Sequence, residues 1–360
     1  MRVSRTAHSR GVAVLTLSVL VVIVGSRLAG AQSLPKVHVI ATGGTIASTG
    51  PGQAHISGED LVRSVPGIDK IAQISVEQFS NIGSEYMTPE LWKALAIHLN
   101  QVFHERPDVD GIVVTHGTDT LEETAYFLDL TVGGDRPVVL TAAMRDSRAI
   151  SPDGPANLFA AISVAASAAA RRRGILVVMN DNIFSAHDLT KRNTLRVDAF
   201  QSPDSGPLGS YDRGEIHFFR APSREPNQPP AFSLNADTVL PKVGIVMSYA
   251  GADGTPMKAF ADAGVSGIVV AAFAGWSVSR EQEQTIANLA RKGVVVVLAS
   301  RTNGGRIVLE DRVKWKTVLK ESMPVIGSGS LNPQKARILL MLALANTKDR
   351  TKLQELFAAQ

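Results

Sequence analysis

The chain contains no cysteine among its 360 residues. This absence excludes disulfide bonds, thiol chemistry and a lipid anchor attached through cysteine. Aromatic residues are also scarce, at 5%, whereas apolar residues make up 44% of the sequence. A composition rich in small and branched apolar residues but poor in aromatic ones suits an α/β protein with a sizeable core.

Long apolar runs are lacking outside the N-terminus. There, Arg2, Arg5 and Arg10 precede an apolar run over residues 11–25, and Ala29-Gly30-Ala31 follows. A basic region, an apolar segment too short for a comfortable membrane span and a small-x-small site are typical of a signal peptide. We therefore predict a signal peptide over residues 1–31, cleavage near Ala31 and a periplasmic or secreted protein. A retained N-terminal anchor is the alternative.

The excess of positive charge is confined to this leader. The whole chain has 37 basic and 33 acidic residues, and residues 1–31 hold four arginines and no acidic residue. The mature chain therefore has a formal net charge of zero, which removes the simplest electrostatic support for binding nucleic acid. A nucleotide site is also disfavoured, because Thr42–Ala47 has neither the third glycine of the dinucleotide motif nor the lysine of a phosphate-binding loop.

Polar turns follow three predicted strands. The strands are 37–41, 76–79 and 111–115, and the turns are Thr42–Ala47, Asn81–Tyr86 and Thr115–Thr120. In a parallel sheet the carboxyl ends of the strands share one edge, so these turns should lie together where ligands bind in α/β folds. Their hydroxyls, carboxylates and backbone amides suit an amino-acid-like ligand. An ordinary set of solvated turns is the alternative.

Helix signals alternate with the strands. Thr88 and Pro89 start one helix, and Thr120 with Glu123 forms a predicted capping box for the next. Ser279 with Gln282 predicts a third start, and Asn332 with Pro333 a fourth. Residues 48–58 are polar and glycine-rich, which predicts a mobile loop or lid.

Prolines mark a boundary near the middle of the chain. Pro222, Pro226, Pro229 and Pro230 stand in a stretch with few apolar residues, which predicts an extended linker over 221–240. The fold class is therefore α/β with two α/β domains. The larger N-terminal domain, over 33–220, should hold a mostly parallel sheet and the catalytic site, and the smaller C-terminal domain covers 241–360.

The chain resembles the bacterial type II L-asparaginase and glutaminase-asparaginase family across the mature sequence. The resemblance is carried by the following segments: Ala41-Thr42-Gly43-Gly44-Thr45-Ile46-Ala47, Asn81-Ile82-Gly83-Ser84, Thr115-His116-Gly117-Thr118-Asp119-Thr120, Glu122-Glu123-Thr124-Ala125-Tyr126-Phe127, Asp153-Gly154-Pro155, Thr190-Lys191 and Gly329-Ser330-Leu331-Asn332-Pro333. It implies hydrolysis of L-asparagine to aspartate and ammonia, with no cofactor and no metal. It also implies homotetramers whose sites lie between subunits.

The resemblance implies specific roles for catalytic residues. Thr45 would be the nucleophile that forms an acyl-enzyme, and Thr118, Asp119 and Lys191 would polarise water or relay the proton. For this relay Lys191 would have to be largely buried. The implied substrate-binding residues are Gly44, Gly83, Ser84, Glu85, Gly117 and Ala143. Ser84 would hold the substrate α-carboxylate, Glu85 and Asp119 the α-amine, and the Thr118 amide the oxyanion.

Two departures from the family pattern leave the function open. Residues 48–58 contain no tyrosine to activate Thr45, although Gln53 or His55 could partly replace it. The second-domain turn is Ala274-Gly275-Trp276-Ser277, without the asparagine of the family, and Trp276 is expected to pack rather than bind ligand. Glu310 is a provisional match for the acid supplied across the interface. A non-catalytic amino-acid-binding protein and an amidohydrolase for a larger amide are the alternatives.

Overall fold

The structure is a computed structural model. It describes residues 33–50, 55–223, 229–302, 304–307, 309 and 325–360. The segment Leu34–Gln360 forms one compact unit. The predicted signal peptide over 1–31, Gln53 and Glu310 lie outside the described residues.

The first sheet has eight strands in the order β10-β9-β6-β5-β4-β3-β1-β2. Their bounds are β1 Lys36–Gly43, β2 Gln73–Ile82, β3 Gly111–Thr115, β4 Val138–Thr141, β5 Ile175–Met179, β6 Asn182–Ser185, β9 Gly209–Asp212 and β10 Glu215–Phe218, while β7 Thr190–Lys191 and β8 Phe200–Gln201 form a separate pair. Strands β1 to β5 are parallel, and β6, β9 and β10 extend the sheet in antiparallel pairing. Strands β1, β3, β4 and β5 are apolar and buried, whereas β2, at the edge of the parallel part of the sheet, is only partly buried.

Helices cover both faces of this sheet. Their bounds are α1 Gly58–Arg63, α2 Pro89–Glu105, α3 Leu121–Thr131 and α4 Gly154–Ala165. The predicted start of α2 is confirmed, because the Thr88 hydroxyl accepts from Leu91 N at 3.3 Å. The capping box predicted for α3 is wrong: Thr120 makes no side-chain cap and instead donates its hydroxyl to the Ser84 carbonyl at 2.8 Å. The Thr120 hydroxyl thus bonds Ser84, which is distant in sequence, and not a backbone N–H group of its own helix.

The second sheet is parallel throughout, in the order β11-β12-β13-β14. The strands are β11 Val243–Met247, β12 Gly267–Ala272, β13 Val295–Ser300 and β14 Val325–Gly327, with helices α5 Thr255–Asp262, α6 Arg280–Arg291, α7 Pro333–Asn346 and α8 Arg350–Ala358. Both predicted helix starts are confirmed. Ser279 and Gln282 form a reciprocal capping box, and Asn332 accepts from Lys335 N at 3.0 Å. The α/β class with two sheet-and-helix parts is therefore confirmed.

One apolar cluster joins the two sheet regions. It contains Phe127 and Leu128 of α3 together with Leu339 and Leu342 of α7, and all four are buried. Helix α7 therefore packs against α3, which begins directly after the third polar turn. The C-terminal region therefore packs against the helix that follows this turn.

The segment over 221–240 has no helix or strand among its described residues. It lies against the first sheet's helices. Phe232 N donates to Leu130 O at 3.0 Å, and Lys93 Nζ donates to the carbonyls of Ala236 and Thr238 at 2.9 and 3.0 Å. None of the described helices is both long and apolar enough to cross a membrane.

Candidate active site

The three polar turns touch through their backbones. A Cβ atom added to Gly44 would lie 2.3 Å from Cα and N of Gly117, and one added to Gly117 would lie 2.6 Å from Ser84 Oγ. Gly44 also has φ +83°, a conformation that a residue with a side chain rarely adopts. The turns can meet at this sheet edge only because these two positions are glycine.

Ser84 connects the second turn to the third. It is 4% exposed, and its Oγ accepts from Asp119 N at 3.1 Å while its carbonyl accepts from Thr120 Oγ1 at 2.8 Å. The first strand is tied in as well, because Thr42 Oγ1 donates to Thr115 O at 2.8 Å. The backbone that presents the candidate side chains is therefore fixed by hydrogen bonds from all three turns.

Lys191 reaches the third turn from β7. Its Nζ donates to Thr118 Oγ1 at 2.9 Å and to Asp119 Oδ1 at 2.7 Å. The Lys191 side chain is 18% exposed, whereas that of Asp119 is 62% exposed. A lysine 72 residues away in sequence thus joins the hydroxyl and the carboxylate into one group, with the carboxylate on the open side.

Thr45 begins a short 3₁₀ turn, Thr45–Ala47, directly after Gly44. Its side chain is half-buried, and within the described part of the chain its hydroxyl has no hydrogen-bond partner. The imidazole of His55 is engaged elsewhere, since its Nδ1 lies 3.2 Å from Asn81 Oδ1. Ile56 lies beside the turn that begins with the candidate nucleophile, because its N donates to Ala47 O at 2.8 Å.

The remaining candidate substrate-binding residues flank these turns. Glu85 is exposed, and its carboxylate folds back over Gly83, where an added Cβ would lie 2.4 Å from Glu85 Oε2. Ala143 is buried and faces Gly154 and Ile46 behind the Thr45 turn. Glu85 thus presents charge at the rim, whereas Ala143 is part of the packing beneath it.

A buried network behind the third turn was not found from the sequence. Burial lowers the pKa of His116 from 6.5 to about 4, so the imidazole is neutral at pH 7. Its Nδ1 must donate to Gly117 O, at 2.7 Å, because a carbonyl only accepts. Its Nε2 therefore accepts from Thr124 Oγ1 at 3.0 Å, and that oxygen accepts from Trp92 Nε1 at 2.7 Å. The donor and acceptor of each hydrogen bond in this network are therefore determined. Through its bond to Gly117 O, His116 fixes the backbone of the third turn.

The turn over 274–277 closes through Phe273 N, which donates to Ser277 O at 3.0 Å. Trp276 is half-buried and packs against the apolar cluster of the second sheet, as expected of a packing residue. Among the described residues there is no group of three or more histidine, aspartate or glutamate side chains placed to hold a metal ion.

The sequence of the chain matches known protein families over most of its length. The family model described as "Asparaginase, N-terminal" matches residues 36–224, and "Glutaminase/Asparaginase C-terminal domain" matches residues 242–357. The chain is 42% identical over 334 residues to L-asparaginase 2 of Escherichia coli, covering 91% of this chain and 94% of that protein. It is 39% identical over 340 residues to a probable periplasmic L-asparaginase of Haemophilus influenzae, covering 92% and 95% respectively.

A solved structure gives the same result. The crystal structure of a probable cytoplasmic L-asparaginase from Campylobacter jejuni superposes with a TM-score of 0.84 at 41% identity, covering 90% of this chain and 99% of that one. The resemblance predicted from the glycine and threonine motifs is thereby confirmed. With both family models matched in order, this chain belongs to the asparaginase family of amidohydrolases.

Proposed function

We propose that the mature chain hydrolyses L-asparagine to L-aspartate and ammonia through a threonine acyl-enzyme, with L-glutamine as a second substrate. The family match and the relatives' names support the amide substrate. The observation that carries the mechanism is the Lys191 ammonium, which donates to both Thr118 Oγ1 and Asp119 Oδ1. A hydroxyl, a carboxylate and a cation held together can move a proton beside a reacting carbonyl.

In the proposed first step Thr45 Oγ attacks the side-chain amide carbon of the substrate. A C–O bond forms, the C–N bond breaks, and the hydroxyl proton leaves with the nitrogen as ammonia. In the second step water opens the ester and restores the Thr45 hydroxyl. Because Lys191 already donates to Thr118 Oγ1, the Thr118 hydroxyl proton points elsewhere and is available to the relay.

The substrate would be held by the second and third turns. We assign its α-carboxylate to Ser84 and its α-amine to the carboxylates of Glu85 and Asp119, with the Thr118 amide near the oxyanion. The exposed position of Glu85 and the open side of Asp119 are consistent with binding an ammonium group from solution.

Ammonia release from purified protein beginning at Gln32 tests the proposal. L-asparagine, L-glutamine, D-asparagine and short isoaspartyl peptides form the panel. Thr45→Ala and Lys191→Met should each abolish most of the activity, while Thr45→Ser and the exposed-site control Lys348→Met should retain it. Equal rates in the wild type, Thr45→Ala and Lys191→Met would exclude catalysis by this group.

The Thr45 hydroxyl has no hydrogen-bond partner among the described residues, which favours one second candidate, a periplasmic amino-acid-binding protein without catalysis. Calorimetry that detects bound L-asparagine or L-aspartate without ammonia release would support it. Turnover of isoaspartyl peptides alone would instead support an amidohydrolase for larger amides.

We also propose a homotetramer. The edge strand β11 and the residue two positions beyond it expose a row of apolar side chains, Ile245, Met247 and Tyr249, which are 36%, 57% and 53% exposed. Such a row on a strand that ends the described sheet favours burial by a second copy. Sedimentation analysis should give a tetramer that Met247→Asp dissociates, and a monomeric wild type would contradict the assignment.

We propose export as well, with a leader over 1–31, a catalytic domain over 33–220, a linker over 221–240 and a second domain over 241–360. The leader's composition supports this location, and one relative is named periplasmic. Protein recovered from a periplasmic extract should begin at Gln32. Full-length protein that stays in the cytoplasm would refute export.

A further inference from the structure

Lys335 is a buried cation that binds the segment preceding Lys191. It lies in the first turn of α7 and is 2% exposed. Its Nζ donates to His187 O at 2.7 Å and also to Leu189 O. Because Thr190–Lys191 follows Leu189 directly, the two carbonyls belong to the stretch of backbone that delivers the relay lysine.

The helix cap beside Lys335 contacts the same stretch. Asn332 Nδ2 lies 3.4 Å from Thr190 Oγ1 and 3.4 Å from Glu122 Oε2. Glu122 is in the first turn of α3, immediately after the polar turn that contains Thr118 and Asp119. The start of α7 therefore contacts both sequence segments that must meet for Lys191 to reach its partners.

The carboxylates around Lys335 do not form an ion pair with it in the described part of the chain. The carboxylates of Glu122, Asp188 and Asp129 favour its charged form at a distance, and the Tyr126 ring lies 5.8 Å away, but in the described chain no carboxylate is within 4.0 Å of its Nζ. Burial lowers the pKa of Lys335 from 10.5 to about 8. Charged or neutral, the amine keeps at least two N–H groups, which is the number the two carbonyls require.

We propose that Lys335 is a positioning residue that fixes the backbone of 187–189 and thereby sets the distance from Lys191 Nζ to Thr118 and Asp119. The proposal rests on the proposed function, since it assigns Lys335 an effect only through the Lys191 relay. Burying a lysine is costly unless it is hydrogen-bonded, and its bonds here go to backbone that a shorter or apolar side chain could not hold.

A double-mutant cycle tests the coupling. Lys335→Met should lower kcat about 10-fold to 100-fold, the range expected when a catalytic group is displaced by about 1 Å, while KM for L-asparagine changes less than about 3-fold. In the Lys191→Met background the same substitution should cause no further fall, because the group that it positions is already gone. Circular dichroism and a thermal melt establish that each variant is folded.

Chemical rescue gives a second measurement. Lys335 and His187 both line a cavity of about 400 Å³, so a small amine can reach the space left in Lys335→Ala. Propylamine replaces the missing atoms from Cγ to Nζ and should restore kcat, measured as L-aspartate formed. 1-Propanol has a similar size but one donor and should restore less. Neither should raise the activity of Lys191→Met, and wild-type rates in each additive correct for direct attack by the amine.

The outcomes distinguish a failure of the positioning role from a failure of the proposed function. An unchanged kcat in Lys335→Met, or a further fall in the Lys191→Met background, overturns the positioning role while the proposed function stands. An unchanged kcat in Lys191→Met overturns the proposed function itself. If Lys335→Met and Lys335→Ala fail to fold, the milder Thr190→Val removes only the contact with Asn332. It should then lower kcat in the wild type but not in Lys191→Met, and equal effects in both would overturn the inference.

Discussion

Glu123 gives a prediction about stability and pH. It lies on α3 next to the candidate site, its side chain is 19% exposed, and Arg337 Nη1 is 3.9 Å from its Oε2. Burial raises the pKa of Glu123 from 4.5 to about 7; the charge of Arg337 opposes part of this rise, and the charge of Glu122 adds a smaller rise. The folded protein therefore keeps a proton that the unfolded chain loses above about pH 4.5.

The sign and size of the effect follow by linkage. Between about pH 4.5 and 7 the unfolded state binds fewer protons than the folded state, so stability falls as pH rises through this window. A shift of about 2.5 pH units corresponds to about 3 kcal/mol. Glu123→Gln carries a neutral amide of the same shape and lacks this dependence. We expect it to match the wild type near pH 4.5 and to be more stable by about 3 kcal/mol at pH 8.

Urea unfolding at pH 4.5, 5.5, 6.5 and 8, at one protein concentration, measures the difference between variant and wild type. Contributions from other titrating groups cancel in this difference. Glu105→Gln, at an exposed site, is the matched control and should give a flat difference. A flat difference for Glu123→Gln as well would refute the claim that this carboxyl is protonated in the folded state.

Three further substitutions address the third turn. The wild type should lose about 3 kcal/mol of stability between about pH 6.5 and 4, because the unfolded chain protonates a histidine that the fold keeps neutral. His116→Gln should remove this loss. Urea unfolding at pH 7 and 4.5 measures the difference. Gly117→Ala should displace Ser84, lowering stability by about 1–3 kcal/mol and raising KM about 10-fold or more. Ser84→Ala should raise KM similarly while costing only about 1 kcal/mol, from the lost bond to Asp119 N; an unchanged KM would exclude Ser84 from substrate binding.

The buried parallel strands could be predicted from sequence because burial on both faces imposes apolar, β-branched runs. The strand predicted over 111–115 agrees with β3, Gly111–Thr115, and the strands predicted over 37–41 and 76–79 lie within β1 and β2. Strands β6, β9 and β10 were not predicted, because these short segments mix polar and apolar residues and lie on the antiparallel side of the sheet.

The site was predictable to the extent that it depends on topology. Placing three turns at strand ends is enough to bring Thr45, Ser84 and Asp119 to one edge, and the glycines are the local signal for close approach. The contacts from elsewhere carry no such signal. Lys191 stands in a stretch without periodicity and was identified only by resemblance. The hydroxyl of Thr120 has a distant partner in Ser84, which no local capping rule could anticipate.

The two halves of the candidate site differ in how firmly they are held. The third turn is fixed by the neutral His116, and its Thr118 and Asp119 are joined by Lys191, whose own backbone leads from carbonyls bound by Lys335. In the proposed mechanism, these contacts would preorganise this half to bind the amino acid and to move the proton. Thr45 has no such partner for its hydroxyl within the described chain, so in the proposed mechanism its activation would depend on groups brought close when substrate binds. Substitution of Asp119, which has both a binding and a relay role in the proposed mechanism, should therefore alter both binding and turnover, whereas substitutions around Thr45 should act on turnover alone.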